Sequence, residues 1–145
     1  MKKIVVMIVY TFIFGIIFTS CDKSESEFAG GVEFEEGIYS GTFTVKYFVE
    51  MPQSWGRGSG ATTIEFKEGK YTCTGNTNRI PAGGSGNYSI KDNKIIFEDK
   101  NGWTADFDGN LILNGEYDYK FNGKKLKISA NKNDVGHYKY DLKKQ

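Results

Sequence analysis

His137 is the only histidine in this chain, and the two cysteines, Cys21 and Cys73, lie far apart along it. A nucleophile needs a base within hydrogen-bond reach and a third group to orient that base. His137 falls on the polar parity of its strand and Cys73 on the inward parity of another, so they do not supply such a pair. A buried structural thiol is inert, and one Cys with one His cannot complete a zinc site. Asp106-Phe107-Asp108-Gly109-Asn110 has the oxygen spacing that opens a calcium loop. Its glycine falls fourth rather than sixth, however, and Tyr117 stands where the twelfth-position glutamate belongs. Pro81-Ala82-Gly83-Gly84-Ser85-Gly86 is glycine-rich but opens no helix, so it makes no phosphate cradle; it reads as a mobile loop. Carboxylates are numerous, yet no pair can be placed at the separation glycoside chemistry demands. The expectation is a chain that is not an enzyme, holds no metal and uses no cofactor.

Cys21 carries a different kind of chemistry, set by what precedes it. Lys2 and Lys3 give a positive start, and Ile4 to Phe18 is uncharged, with only Tyr10 and Thr11 polar. Thr19 and Ser20 are small, and the cysteine follows. Charge, greasy core and small residues in that order make an export signal. The run Phe18-Thr19-Ser20-Cys21 resembles the lipobox of bacterial lipoproteins, although Phe18 departs from the aliphatic residue usual at its position. The resemblance implies that residues 1–20 are removed and that Cys21 is lipidated. It also implies a protein held by lipid in a bacterial cell envelope, at the outer membrane or cell surface. A transmembrane anchor would need about 20 apolar residues, more than this run supplies. A plain secretory signal with an incidental cysteine is the other alternative. Stable peripheral attachment takes more than one acyl chain, and that family carries several on its cysteine.

Residues 22–36 hold six acidic residues against one lysine, together with Ser and Gly. They read, with Cys21, as a lipidated flexible spacer over 21–36. An acidic, serine-containing stretch behind a lipid cysteine also resembles the surface-export signals of some Gram-negative lipoproteins. Removing residues 1–20 from 145 leaves enough chain for one domain with its own core, expected over 37–145. Of 19 Lys and Arg, Lys2 and Lys3 go with the signal, leaving 17 against 18 acidic residues. A near-neutral domain without a basic stripe has no electrostatic footprint for nucleic acid. Cys73 has no partner once Cys21 is lipidated, so no disulfide framework is expected.

Abundant Gly, scarce Pro and many Tyr and Phe fit a β-rich domain. From Gly37 onward the chain reads as eight strands at about 38–50, 60–67, 70–75, 87–91, 94–99, 111–121, 124–130 and 137–143. Two-residue turns are expected at Glu68-Gly69, Asp92-Asn93 and Asn122-Gly123. They would set Phe66 opposite Tyr71, Ile64 opposite Cys73, Ile90 opposite Ile95, Tyr88 opposite Phe97, Tyr119 opposite Leu126 and Tyr117 opposite Ile128. A one-residue slip would turn each apolar set to solvent. Eight sequential strands with one apolar face predict an all-β, antiparallel up-and-down barrel, whose closure removes the sheet edges. A two-sheet β-sandwich is the alternative. Charged residues on the outer parity, among them Glu65, Lys67, Glu116, Asp118, Lys125 and Lys127, do not suit a lipid-facing wall.

The turns fall at one end of this meander together with both termini and the tether. The long connections, about 51–59, 76–86, 100–110 and 131–136, fall at the other, facing away from the membrane. Trp55, Arg57, Arg79 and Trp103 all lie in them. Trp and Arg are enriched where proteins meet partners, and loops on a rigid scaffold carry such sites. The plain alternatives are that the tryptophans cap the open end of the core and that the arginines are simply solvated.

An eight-stranded meander that opens with Gly37-Ile38-Tyr39 resembles the lipocalins, and in particular the bacterial lipocalin-like lipoproteins. Tyr39 takes the place of the tryptophan in that family's Gly-x-Trp, its Thr-Asp-Tyr type motif is absent, and no arginine stands near the last strand. The resemblance implies a small apolar ligand in the barrel, with Tyr39, Phe43 and Tyr117 among its lining. Against an open cup, eleven inward aromatics would consume much of a barrel only wide enough for side chains or one small ligand. The preferred reading is a non-catalytic binding domain that meets a protein or a surface polymer through its loop end. A carrier of a small apolar molecule is the alternative.

Overall fold

The computed structural model describes residues 32–52 and 58–145. Cys21, Trp55 and Arg57 lie outside the described residues. Alternation of apolar and polar side chains makes each segment bury one face as a strand; in the last strand Gly136, Tyr138, Tyr140 and Leu142 are buried and the residues between them are not. The strands are β1 (Gly37–Tyr47), β2 (Gly58–Lys67), β3 (Lys70–Cys73), β4 (Gly84–Lys91), β5 (Lys94–Asp99), β6 (Gly115–Phe121), β7 (Lys125–Lys132) and β8 (Gly136–Lys144), with one 3-10 turn at Gly109–Leu111. Each pairs antiparallel with its sequence neighbour, and β1 also pairs with β8 from Tyr39↔Lys144 to Tyr47↔Gly136. That seam closes an eight-stranded barrel and excludes the sandwich. It depends on Gly41, where a Cβ would sit 2.0 Å from the Asp141 carbonyl oxygen.

Two of the three expected hairpin registers are those observed. Glu68-Gly69 (φ 52° and 72°) and Asp92-Asn93 (φ 50° and 60°) both take the left-handed conformation. This turn type matches the twist of the flanking strands. They set Phe66↔Tyr71, Ile64↔Cys73, Tyr88↔Phe97 and Ile90↔Ile95. The third register is different: Phe121 pairs with Leu126 and Tyr119 with Ile128. Asn122 Oδ1 accepts from the backbone N–H groups of Lys124 (3.1 Å) and Lys125 (2.7 Å), which holds a longer loop than the Asn-Gly pair implied. The displacement is two residues, so parity survives and Tyr117, Leu126 and Ile128 remain inside. Ile90 is exposed because β3 ends its pairing at Lys70↔Asn87, and β4 runs on past it.

At the opposite end several boundaries move. β1 stops at Tyr47 rather than near residue 50, leaving Phe48 and Val49 exposed. β7 continues to Lys132, and a tight turn at Asn133-Asp134 (φ 50° and 55°) replaces the long 131–136 connection. Only the three other connections are therefore long. The glycine-rich run is not a free loop: Ala82 N–H donates to Leu111 O (3.0 Å), Leu113 N–H donates to Gly83 O (2.9 Å), and β4 starts at Gly84. Gly83 (φ 97°) permits this, since a Cβ there would lie 2.7 Å from Cys73 O. Residues 111–113 are used in this bridge, so β6 begins only at Gly115.

The interior is filled with rings in edge and tilted contact, the favoured aromatic geometries. Phe43 meets Tyr140 at 4.7 Å, Tyr71 meets Phe97 at 4.8 Å, and Tyr117 lies between Phe97 (5.7 Å) and Tyr140 (6.2 Å). Of the eleven aromatics expected inside, Tyr47, Tyr88 and Tyr119 are only partly buried.

The tight end is plugged by a residue that precedes the first strand. Phe34 packs against Phe66 (5.1 Å), Phe121 (5.8 Å), Tyr88 (6.0 Å), Tyr119 (6.1 Å) and Tyr39 (6.2 Å). Its neighbours are fixed too. Tyr39 donates its hydroxyl to Glu35 O (2.5 Å), and the Glu36 carboxylate accepts from Glu68 N–H, Gly69 N–H and the Tyr88 hydroxyl. These bonds, the Tyr88 hydroxyl first, hold the Glu36 carboxyl below the usual carboxylate range. Residues 32–36, which the composition assigns to the spacer, thus belong physically to the barrel. Phe34→Ala is expected to cost about 2 kcal/mol, less than the loss of a fully buried ring because Phe34 is only partly buried. Urea unfolding of residues 32–145 and 37–145 checks the same point: the shorter chain should have the lower midpoint.

Candidate functional site

The loop end is organised by polar side chains that fold their own loops. Asn76 accepts from the N–H groups of Asn78 (3.0 Å) and Ile80 (2.9 Å), and its amide donates to Ile80 O (2.5 Å). This turn directs Arg79 (φ 55°) across to the connection between β5 and β6. There Arg79 Nη1 donates to Asp106 Oδ1 at 2.7 Å and to Thr104 Oγ1 at 3.3 Å, while its guanidinium carbon lies 4.6 Å from the centre of the Phe107 ring. Thr104 also donates to Asp106, and these contacts, Thr104 first and then Arg79, keep the Asp106 carboxyl below its ordinary range.

Asp99, the last residue of β5, holds the second half of that connection. Its carboxylate accepts from Ser85 N–H (2.8 Å), the Asn101 amide (2.8 Å), Asn101 N–H (3.2 Å) and the Trp103 indole N–H (2.6 Å). Trp103 meets the Phe107 ring edge-on at 5.9 Å and is 39% exposed. Arg79 and Trp103 therefore form one continuous slab with the buried Phe107 ring that lies against both.

Beneath the slab a polar cluster sits at the barrel mouth. Asp108 is buried and accepts from Tyr138 (2.7 Å), Tyr47 (3.0 Å) and Asn110 N–H (2.9 Å). Lys132 donates to the carbonyls of Asn114 (2.8 Å), Ile112 (3.3 Å) and Asn110 (3.5 Å), and its ammonium lies 4.6 Å from the Tyr117 ring centre. Burial pushes the Lys132 amine down to about 8, with the Asp108 charge acting in the opposite direction. Asp106 and Asp108, the first oxygens of the apparent calcium spacing, are committed to different partners. No three His, Cys, Asp or Glu side chains converge to hold a metal among the described residues.

Arg79 and Trp103 are brought together here. Tyr39 is not; it is fully buried at the tight end. Phe43 and Tyr117 are buried in the middle of the barrel, in contact with other rings rather than facing an opening. Phe107, Asp108 and Lys132 are the site residues that sequence reasoning missed. The signal for Lys132 is its parity, since Leu126, Ile128 and Ala130 precede it on the inward face of β7. Cys73 is buried, its thiol pushed up to about 12, and the His137 ring is bonded to Asn131 at 2.7 Å. The assembled groups can stack, donate and accept. Comparison with protein-family models, with curated proteins and with solved structures gives no match to this chain.

The buried titratable groups give a pH profile with a defined sign. Between pH 8 and 10.5 the unfolded chain holds the Lys132 proton more tightly than the folded one, so stability rises with pH across that window. The buried tyrosines act oppositely. Tyr39 is pushed up to about 12, and Tyr71, Tyr117, Tyr138 and Tyr140 are raised as well, in each case chiefly by burial. Their contribution is complete below pH 10 and is lost above it, as unfolded tyrosines ionise. Denaturant midpoints should therefore peak between pH 8 and 10, and Lys132→Met should abolish the rise while leaving the alkaline fall.

Proposed function

We propose that this chain is an exported bacterial lipoprotein, anchored through Cys21, whose barrel is a non-catalytic binding domain that meets an envelope partner through its loop end. The observation that carries the reading is the Trp103 slab: four hydrogen bonds to one carboxylate are invested in holding a large ring partly in solvent. Pre-organising an exposed aromatic lowers the entropy lost when a partner binds. Attachment at Cys21 suits this use, because both termini of the barrel lie at the tight end. The ten residues 22–31 reach at most about 35 Å, which keeps that end close to the membrane and turns the loops outward.

A second reading, a lipocalin-type carrier of a small molecule, is favoured by one observation. The hydroxyls of Tyr117 and Tyr140 are buried in the barrel without a hydrogen-bond partner among the described residues. The Asn114 N–H beside Tyr117 is given to Ile112 O at 2.9 Å. Buried polar groups are normally paired, and a ligand with a polar head would pair these. The close packing of Phe43, Tyr117 and Tyr140 weighs on the other side.

Two measurements separate the readings. A photo-crosslinking residue replacing exposed Lys100, beside the slab, should give a discrete adduct in a lipoprotein-processing bacterium. The same probe at Ile90, at the tight end, should give none. Adducts at Ile90 alone, or at neither position, overturn the loop-end reading. Native mass spectrometry of residues 22–145 purified from cells tests the carrier: a reproducible extra mass released by organic solvent would put that reading first.

A further inference from the structure

Resting on the loop-end reading, the geometry points to a neutral glycan as the partner, stacked on Trp103 and hydrogen-bonded by the groups around it. The ring is fixed on two sides, by its N–H to Asp99 Oδ2 and by the edge contact with Phe107, and it is 39% exposed. What surrounds it is polar. Asp99, Asn101 and Ser85 form a connected hydrogen-bonded set on one side; Arg79, Thr104 and Asp106 form another, with the Arg79–Asp106 pair itself open to solvent (41% and 67% exposed side chains).

This composition argues against the other partner classes in turn. A protein interface of ordinary size buries about 800 Å² on each side, and its centre is depleted of charge. Trp103 is an exposed ring with charges and amides on either side of it. A polyanion would meet the carboxylates of Asp99, Asp106 and Glu98, and Glu98 is held below its ordinary range chiefly by its bond to Lys100. A polycation would meet Arg79 and Lys100. The carboxylates and bases are instead paired with each other or with amide and hydroxyl groups, which leaves a surface of interleaved donors and acceptors with little net charge. Sugars present an apolar face of C–H groups for a flat ring and an equatorial rim of hydroxyls that both donate and accept. The indole supplies the flat face. The charge-assisted rim supplies bonds stronger than neutral ones, and its groups are held in place before the ligand arrives. Asp99 is the positioning residue, acting through the indole N–H.

The test is a titration of residues 22–145, followed by calorimetry with both tryptophans present and, in Trp55→Phe, by the fluorescence of Trp103. The probes are neutral gluco-, manno- and galacto-oligosaccharides of four to six units, with an oligouronate as the charged comparator. Saturable binding heat with at least one neutral oligosaccharide is expected, with quenching or a blue shift of Trp103. The calorimetric affinity should weaken by roughly tenfold in Trp103→Phe, as a smaller ring stacks less. Asp99→Asn should weaken it as well and shift the Trp103 emission before any ligand is added, which a merely structural loss at a distance would not do. Preference for the oligouronate, or no response to any neutral oligosaccharide at millimolar concentration, overturns the glycan assignment. If the Lys100 crosslinker then captures a protein, the loop-end reading stands without the glycan; if it captures nothing, both fall.

Discussion

Closure of the β1–β8 seam is the constraint on which the rest of this molecule depends. It satisfies the backbone groups of two strands that would otherwise be edges, and it commits every inward side chain to one narrow interior. Gly41 makes the seam possible by letting β1 approach the Asp141 carbonyl. Once the barrel is closed its volume is fixed, and the tyrosines and phenylalanines on the inner parity must fill it. Ring-on-ring contact at 4.7–6.5 Å is the result, with the hydroxyls of Tyr39, Tyr71 and Tyr138 directed to carbonyls and a carboxylate. A core built this way leaves the ends as the places where the chain can vary, and the two ends are finished differently.

The tight end is sealed by Phe34 and by the Glu36 carboxylate capping the β2–β3 turn. The loop end is sealed by Asp108 and Lys132, a buried acid and a partly buried base that pair with hydroxyls, carbonyls and ring faces. Burying such groups costs free energy unless they are fully bonded. Asp108 meets this with three donors, and Lys132 with three carbonyls and an aromatic face. Their bonds hold residues 106–114 in one conformation, and that conformation is what positions Phe107 under Arg79 and beside Trp103. The slab is therefore an outgrowth of the barrel's closure, which gives these loop residues the rigidity of residues on strands.

The two kinds of sequence signal were legible to different degrees. Inner and outer parity was readable because a period of two admits no compromise. Tyr39, Phe43, Phe66, Tyr71, Phe97, Tyr117, Tyr138 and Tyr140 are buried as the pattern requires. Turn chemistry was readable where two residues had to be left-handed, as at Glu68-Gly69 and Asp92-Asn93. It failed at Asn122, whose side chain bonds onward to Lys124 and Lys125 and lengthens the loop. It also failed at Asn133-Asp134, where a tight turn carries no glycine in its centre. Phe34 was hidden by its acidic neighbours, since composition averages over a window and a plug is a single residue.

The sequence by itself determined the strand count, the inward set and which end of the barrel carries the long connections, because periodicity and turn residues act over a few positions. The site was decided by the tertiary structure. Arg79 and Asp106 stand 27 residues apart, and Asp108 lies in a connection whereas Lys132 ends β7. Nothing local links them. They meet because closure brings the loops between β3 and β4 and between β5 and β6 over one mouth. A contact between loops is specified by the barrel that carries both, and no pattern within either loop can encode it alone.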